Sequence, residues 1–420
     1  MKNHDRVSMK ISRSLAGEMN GLVSVAGSLS ESHARSTQTS YSGLRGGPNS
    51  NSRNRSQSNS NPRVRWQAFA STLALVLIAL ALPLSLISAQ TGNGAGGKGD
   101  RGPAQNGQTQ AGGYRLSGPY THKNLSIFLI HSKVTTKTKT FLTLQEALEQ
   151  KKVVVYETQS VNELAIENVS SEDVYVQSGD IVKGGKQDRM MAQDFIVPPK
   201  SGRMPIAAFC VEHGRWSGRG NERAGVFSSS ADAVVTREIK LAAKSSNSQS
   251  AVWENVRLAQ DKLSQNLGTR VNSNVSASSL QLAVENTRVQ ATADSYIKAL
   301  GNIVNRNDDV IGYVFAINGS VNSADVYSSN ALFRKLWPKL LKANTVEAIA
   351  QLQKETFKPA STDHAKAFLN EAEKPQPSAP KDVTARVKVV TREDDKNVFF
   401  ETRDEAQKGA WVHRNYIKKN

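Results

Sequence analysis

Residues 310–327 read VIGYVFAINGSVNSADVY, and the Asn318-Gly319 pair in their middle constrains the fold more than any other stretch. Asn-Gly is the favoured two-residue hairpin turn because both positions must adopt positive φ. Val310 to Ile317 and Val321 to Tyr327 flank it with β-branched and alternating residues, so they read as paired antiparallel strands.

The first half of the chain reads mainly as strands. Leu125 to His131 (LSIFLIH) is a short apolar run expected to be a buried strand. Val153 to Tyr156 is β-branched, and Leu164 to Val169 and Val174 to Gln177 alternate as half-buried strands do. Phe195 to Val197 stops at Pro198-Pro199, and Met204 to Glu212 is a further strand. Thr143 to Lys151 is helical, opening on a Thr143/Glu146 capping pair.

Near Ser229 the pattern turns helical. Ala231 to Lys244 is one expected helix, and Ala251 to Asn266 another, with Val252, Val256, Leu258 and Leu263 on helical spacings. Ser279 to Leu300 reads as one long amphipathic helix. Beyond the hairpin come helices at Ser329 to Ala343, bent at Pro338, and at Thr345 to Phe357. No internal repeat is visible. The grouping makes the fold α+β: a strand-rich N-terminal half with a helical segment, then the hairpin plus helices. The folded domain is expected over 114–372, followed by a proline-rich break and short strands over 373–420.

The chain has 420 residues and a formal charge of +17, which raises the question of a nucleic-acid partner. Residues 1–65 alone hold 10 Lys/Arg against 3 Asp/Glu, and the remaining excess is spread among interleaved acids. Zinc-finger spacing and RNA-binding aromatic signatures are both missing, so no nucleic acid is expected. A single cysteine excludes an intramolecular disulfide and any cysteine-rich metal site.

Residues 66–90 contain an uncharged apolar run, Ala68 to Ala89, behind Arg63 and Arg65. This is the pattern of a signal peptide or of a transmembrane anchor, and both readings stay open. The tail 1–65 is basic and low in complexity, read either as disordered or as lying upstream of the true translation start. Residues 91–113 are a Gly/Gln/Asn-rich flexible linker. The folded part is thus expected in the cell envelope or outside the cell, tethered to the membrane through residues 66–90 or free.

Between Ser178 and Trp216 the chemistry is concentrated: SGDIVKGGKQDRMMAQDFIVPPKSGRMPIAAFCVEHGRW. Lys186, Gln187 and Arg189 follow two glycines and suit an anion, Arg189 through its planar fork. The P-loop pattern GxxxxGK[ST] is absent. Alternation along a strand puts Cys210 and Glu212 on one face, as a nucleophile and base would require. His213 falls on the opposite face. The plainer reading makes Cys210 a small buried thiol. It pairs Glu212 with Arg189 or Arg215, and holds the turn by an Asp188–arginine or Lys186–Glu212 ion pair. Trp216 either stacks on a ring or caps the core. Asp180 and Glu212 alone are too few for a metal site.

The runs GDIVKGGKQDR, IVPPKSG, MPIAAFCVEHGRW, AVWENV, VIGYVFAINGSVNSADVY and ALFRKLWPKLL resemble the ARG and rhodanese-phosphatase-superfamily-associated protein domain, from about Leu125 to about Leu352. The family core falls here on Gly185, Lys186, Gln187, Asp188 and Arg189. Its second motif falls on Cys210, Val211, Glu212, Gly214, Arg215 and Trp216. Members often have alanine at the position of Gly185, a difference expected to loosen the turn without altering chemistry. The family's association with ADP-ribosylglycohydrolases and phosphatases implies work near a nucleotide-like small molecule.

Two functions follow. In one, an exported or membrane-anchored domain binds or processes an ADP-ribose-like or other phosphorylated ligand. Lys186, Gln187, Asp188, Arg189, Arg215 and Trp216 bind, and Glu212 and Cys210 are catalytic. In the other, the domain is a non-catalytic envelope module that binds a protein partner, and the motifs are structural. The sequence names no cofactor.

Overall fold

The structure is a computed structural model that describes residues 113–133, 140–220, 222, 224–225 and 227–419. Its architecture is α+β, with strands concentrated in the first half of this region. The largest sheet has eight antiparallel strands in the order Arg115–His122, Leu125–His131, Val310–Ile317, Ser320–Tyr327, Ala410–Lys418, Asn397–Asp404, Val387–Glu393, Lys381–Asp382. A second sheet has the order Phe227–Val234, Asp180–Gly184, Arg189–Met191, Arg203–Cys210, Glu163–Asn168, Val153–Glu157. A small third sheet joins Leu142–Thr143, Val174–Val176 and Phe195–Val197.

The expected hairpin forms at its expected turn, with Asn318 at φ 50° and Gly319 at φ 78°. Gly319 is required twice over. Its φ disfavours a side chain, and a Cβ there would lie 2.1 Å from the carbonyl oxygen of Lys358. The Leu125–His131 strand is buried along its whole length. Leu125, Ile127 and Leu129 enter the main core, while Phe128 and Ile130 enter the core on the other face. The main core packs that sheet against helices Arg237–Lys244, Gln249–Leu267, Thr287–Leu300 and Asn330–Ala350. The other face is covered by helix Thr362–Ala372, which the sequence reading did not anticipate.

Residues 381–418 belong to the large sheet through Ala410–Lys418, which pairs with the hairpin strand Ser320–Tyr327. Arg386 fastens this end to the rest of the protein. Its guanidinium binds Asp173 at 2.6 and 3.0 Å and Asp404 at 2.8 Å, joining strands far apart in sequence.

Several expected elements are corrected. Residues 227–234 form a strand, so the helix expected from Ala231 begins only at Arg237. An Ala/Val run has no period of its own, and pairing with Asp180–Gly184 decides it. Ser279–Leu300 divides into Leu280–Val284 and Thr287–Leu300, because the Asn286 side chain caps the second helix at the Arg288 N–H. The two helices expected at 329–343 and 345–357 are one helix, Asn330–Ala350, with Pro338 inside it. Leu258 is 38% exposed, since it lies about 200° around the helix from Val256 and off the buried stripe of Val252, Val256 and Leu263.

The transmembrane helix, one of two readings given to residues 66–90, is corrected as far as the described residues reach: no helix among them is long and apolar enough to cross a membrane. The basic tail 1–65, the apolar run at 66–90 and the linker as far as residue 112 lie outside the described residues.

Glu347 is buried between helices, where it caps the helix Arg237–Lys244 by accepting the Arg237 N–H at 3.1 Å. It also accepts from Asn322 Nδ2 at 2.6 Å and from Gln351 Nε2 at 3.2 Å. Burial, reinforced by the charge of Glu238, pushes its carboxyl up to about 7, against the pull of Arg237. The folded state therefore holds this proton more tightly than the unfolded chain. The contribution is fully present below the ordinary carboxyl value and is lost as pH rises through about 7. Glu347→Gln is expected to flatten the fall in stability between pH 5 and pH 8, measured by urea unfolding. An unchanged pH slope in the variant would refute this.

Candidate functional site

Strand Asp180–Gly184 turns through residues 184–188 and returns as Arg189–Met191, with Ile181 opposite Met190 and Val182 opposite Arg189. Gly184 (φ 112°) and Gly185 (φ 54°) shape the turn. A Cβ on Gly185 would lie 2.3 Å from the Phe227 ring and 2.6 Å from Glu157 Oε1. Glycine suits both the positive φ and this close approach, and a side chain here would require the Phe227 ring and the Glu157 carboxylate to shift. Asp188 closes the turn on itself by accepting the Gly184 N–H at 2.9 Å, and Glu157 accepts the Lys186 N–H at 2.7 Å.

Strand Arg203–Cys210 brings the second motif to this turn. Its first five residues pair with Glu163–Asn168 and its last three with Arg189–Met191, so Cys210 stands directly opposite Arg189. Phe209 and Met190 enter the main core, and Ala208 and Met191 the core of the second sheet.

Past Cys210 the chain leaves the strand and builds a cage of buried ions. Asp188 and Glu212 are both fully buried. Arg215 grips Glu212 with two parallel bonds, Nε to Oε1 and Nη2 to Oε2, each 2.7 Å. Its Nη atoms also reach the carbonyls of Gly185 at 3.0 Å and Gly184 at 3.2 Å. Arg219 grips Asp188 in the same forked way at 2.8 and 3.1 Å, and reaches Glu212 at 3.5 Å and Glu222 at 3.1 Å. Glu212 further accepts the Asp188 N–H at 2.9 Å. The Ser279 hydroxyl donates to Asp188 at 2.7 Å while capping helix Leu280–Val284 at the Leu282 N–H. Such forked charge-assisted bonds are the strong kind.

Beside the cage lies a second group. Arg189 is 0% exposed. Its Nη1 donates to Gln187 Oε1 at 3.0 Å and to the Cys210 sulfur, and its Nη2 lies 3.5 Å from Glu157. Its Nε has no partner. Trp216, 46% exposed, covers it: the Arg189 guanidinium carbon lies 5.6 Å and the Lys186 ammonium 5.0 Å from the indole ring. The structure therefore brings Lys186, Gln187, Arg189 and Trp216 together, and places Asp188, Glu212 and Arg215 in the adjoining cage.

Cys210 and Glu212 are not arranged as nucleophile and base. Both Glu212 oxygens are held by arginine, and the Cys210 thiol faces Arg189 instead. Burial pushes that thiol up to about 11 despite the Arg189 charge, and the carboxylates of Glu157 and Glu212 reinforce the rise. Burial also raises the Glu212 carboxyl, but the bonds from Arg215 outweigh it and leave the group below its ordinary range. His213 is exposed and packs edge-on against Trp253 at 4.4 Å, away from the thiol. Asp180 does not approach Glu212: it pairs with Lys339 in the interior. Among the described residues no group of three His, Cys, Asp or Glu is placed to hold a metal.

A second buried polar cluster carried no local signal in the sequence. His413 bridges Asp194 at 2.7 Å and Asp325 at 3.0 Å through its two ring nitrogens, and stacks on Tyr327 at 4.5 Å. Tyr313 and Asn415 also bond Asp325, and Thr402 and the Ser178 N–H bond Asp194. A carboxylate at each nitrogen favours the charged ring: burial opposes the charge, and the two aspartates overcome it and raise the group.

Two outcomes follow for the motif. Because a buried carboxylate without its partners is costly, by about 3–5 kcal/mol, Arg215→Ala and Arg219→Ala should each unfold at distinctly lower denaturant. Because Cys210 stays a thiol, it should react with a water-soluble disulfide reagent far more slowly than an unfolded control at pH 8. Rapid native labelling would contradict the buried, protonated assignment.

A family comparison matches residues 113–417 to the ARG and Rhodanese-Phosphatase-superfamily-associated Protein domain. Comparisons with curated proteins and with solved structures found no match. Since the match spans well over half of the chain and includes both motifs of this site, the protein belongs to the ARG and Rhodanese-Phosphatase-superfamily-associated Protein domain family.

Proposed function

We propose that the domain binds an anionic, phosphate-bearing ligand of the nucleotide or ADP-ribose class at Lys186, Arg189 and Trp216, and that the motif is a recognition site without covalent chemistry. The observation behind this reading is the state of Arg189. A fully buried guanidinium with an unpartnered Nε sits beneath a half-exposed tryptophan and beside a second cation. A buried donor left unmade is costly, and a planar fork suits phosphate oxygens. Trp216 then serves as a movable cover with a ring face for stacking. The cage beside it fixes the turn that carries Lys186 and Arg189.

Glu212 and Cys210 take supporting roles in this reading. Neither a carboxylate held by two arginines nor a thiol pushed up to about 11 is ready for acid–base or nucleophilic work near neutral pH.

A second reading treats the whole motif as structural in a protein-binding module. The saturated bonding of Asp188, Glu212, Arg215 and Arg219 favours it.

Thermal shift on the full chain with inorganic pyrophosphate and ADP-ribose separates the two. A ligand at a hundred times its dissociation constant adds about 2.7 kcal/mol. Lys186→Ala and Trp216→Ala should fold normally, being partly exposed, and should each weaken binding about tenfold or more. Failure of both compounds to shift the wild type would refute the anion site and leave the structural reading. A shift unaltered in both variants would move the ligand elsewhere.

A further inference from the structure

The loop carrying the second motif has another side. Between helix Gln249–Leu267 and residues 272–278 lies a cleft of about 410 Å³, lined by His213, Trp253, Val256, Gln260, Asn272 and Ala277 among others. Its volume falls within the range of small-molecule sites, about 300–1,000 Å³. One wall is the motif loop itself. Trp253 Nε1 donates to the Glu212 carbonyl at 3.2 Å. The Ser278 hydroxyl accepts the His213 N–H at 3.0 Å and donates to the His213 carbonyl at 2.7 Å. The residue that forms this wall is therefore adjacent in sequence to the caged Glu212, and three residues before Trp216.

The lining has a definite chemistry. Trp253 and His213 meet edge-to-face, giving an aromatic wall against which a flat ring can pack. Val256 and Ala277 add an apolar surface. The amide groups of Gln260 and Asn272 both donate to the Ala277 carbonyl, at 3.1 and 2.8 Å. Gln260 also donates to the Ser279 carbonyl at 3.0 Å, so only its oxygen is left to offer, while Asn272 keeps an oxygen and one N–H. An aromatic wall with amide acceptors and one amide N–H matches a planar nitrogen heterocycle that carries both N–H donors and ring-nitrogen acceptors.

We propose that this cleft is the ring subsite for a nucleobase, an inference that rests on the anion site of the preceding section and extends it to the other end of a nucleotide-like ligand. The motif loop then lies between the two subsites, with His213 serving one and Trp216 the other.

Equilibrium dialysis of the full chain with adenosine, and separately with inorganic pyrophosphate, tests the two subsites independently. Ser250 is exposed at the cleft edge and outside the motif, so Ser250→Phe should fill the cleft without disturbing the cage. Adenosine should bind the wild type, and its affinity should fall at least tenfold in Ser250→Phe and in Trp253→Ala, with pyrophosphate affinity unchanged in Ser250→Phe. Trp253→Phe keeps a ring without the indole donor, and should retain most adenosine binding. Pyrophosphate binding without adenosine binding would overturn the ring subsite and leave the anion site standing. Adenosine binding without pyrophosphate binding would overturn the anion site alone. Adenosine binding that is equal in wild type and Ser250→Phe would place the ring elsewhere and overturn this inference.

Discussion

One carboxylate ties the turn of the second sheet to the helices behind it. Asp188 lies at 0% exposure and accepts from the Gly184 N–H, from both terminal nitrogens of Arg219, and from the Ser279 hydroxyl. Those donors come from the turn that bears the first motif, from the loop after the second, and from the cap of a helix in the main core. Asp188 also contributes its own N–H to Glu212, so the two acidic residues are coupled through the backbone. Removing two charges from water costs several kcal/mol for each ion, and the attraction between them repays this only where the geometry is close to ideal. Here both arginines engage in forked geometry, and the remaining oxygen capacity is met by N–H and hydroxyl donors. The cage is best understood as a device that specifies one arrangement of the turn, since an apolar cluster of equal volume would tolerate several.

The same economy explains why the two motifs, more than twenty residues apart, act as one unit. Strand Arg203–Cys210 changes partner midway, from Glu163–Asn168 to Arg189–Met191. Its end therefore lies where the second sheet's core and the main core meet. Side chains alternate between the two cores on both strands, and the next residues along must be polar loop. Lysine or leucine at position 212 could not serve, because that position receives the Asp188 N–H and two guanidinium groups at once.

Much of this organisation was legible from local patterns. Asn318-Gly319 fixed a hairpin because positive φ at two successive positions is a property of those residue types. Thr143 and Glu146 formed the expected capping box, and Phe195–Val197 ended where Pro198 required. Where the chain is rich in alanine and valine, at 231–234, local propensity did not discriminate, and a strand partner more than forty residues earlier decided the outcome. The single helix Asn330–Ala350 runs through Asn344 and Thr345, weak helix formers that the interior nevertheless accommodates by burying nearly every residue of its second half. At the site, Arg215 was one of the two partners the sequence offered Glu212, the other being Arg189. Arg219 carried no such signal, since it lies in a glycine-flanked stretch and its main partner is thirty-one residues away.

The His413 cluster shows the limit of local reading most clearly. Its members come from Asp194, Asp325 and His413, which lie on separate segments and meet only because Ala410–Lys418 inserts beside the hairpin strand Ser320–Tyr327. That insertion is also what Arg386 secures from the other end, through Asp173 and Asp404. The chain thus uses charge at each place where distant segments must find one register: Arg386 at the edge, His413 at the centre, and Arg215 with Arg219 at the motif. In the first two, two aspartates flank a single basic side chain and bond its ring or guanidinium nitrogens. Beside the motif the pattern differs, because Arg189 is fully buried yet keeps an unpartnered nitrogen under a tryptophan that solvent can reach. An unpartnered Nε also occurs at Arg237 and Arg334, whose side chains are 18% and 32% exposed, so what sets Arg189 apart is its full burial beneath an exposed indole and beside Lys186, the setting in which a group from outside the chain completes it.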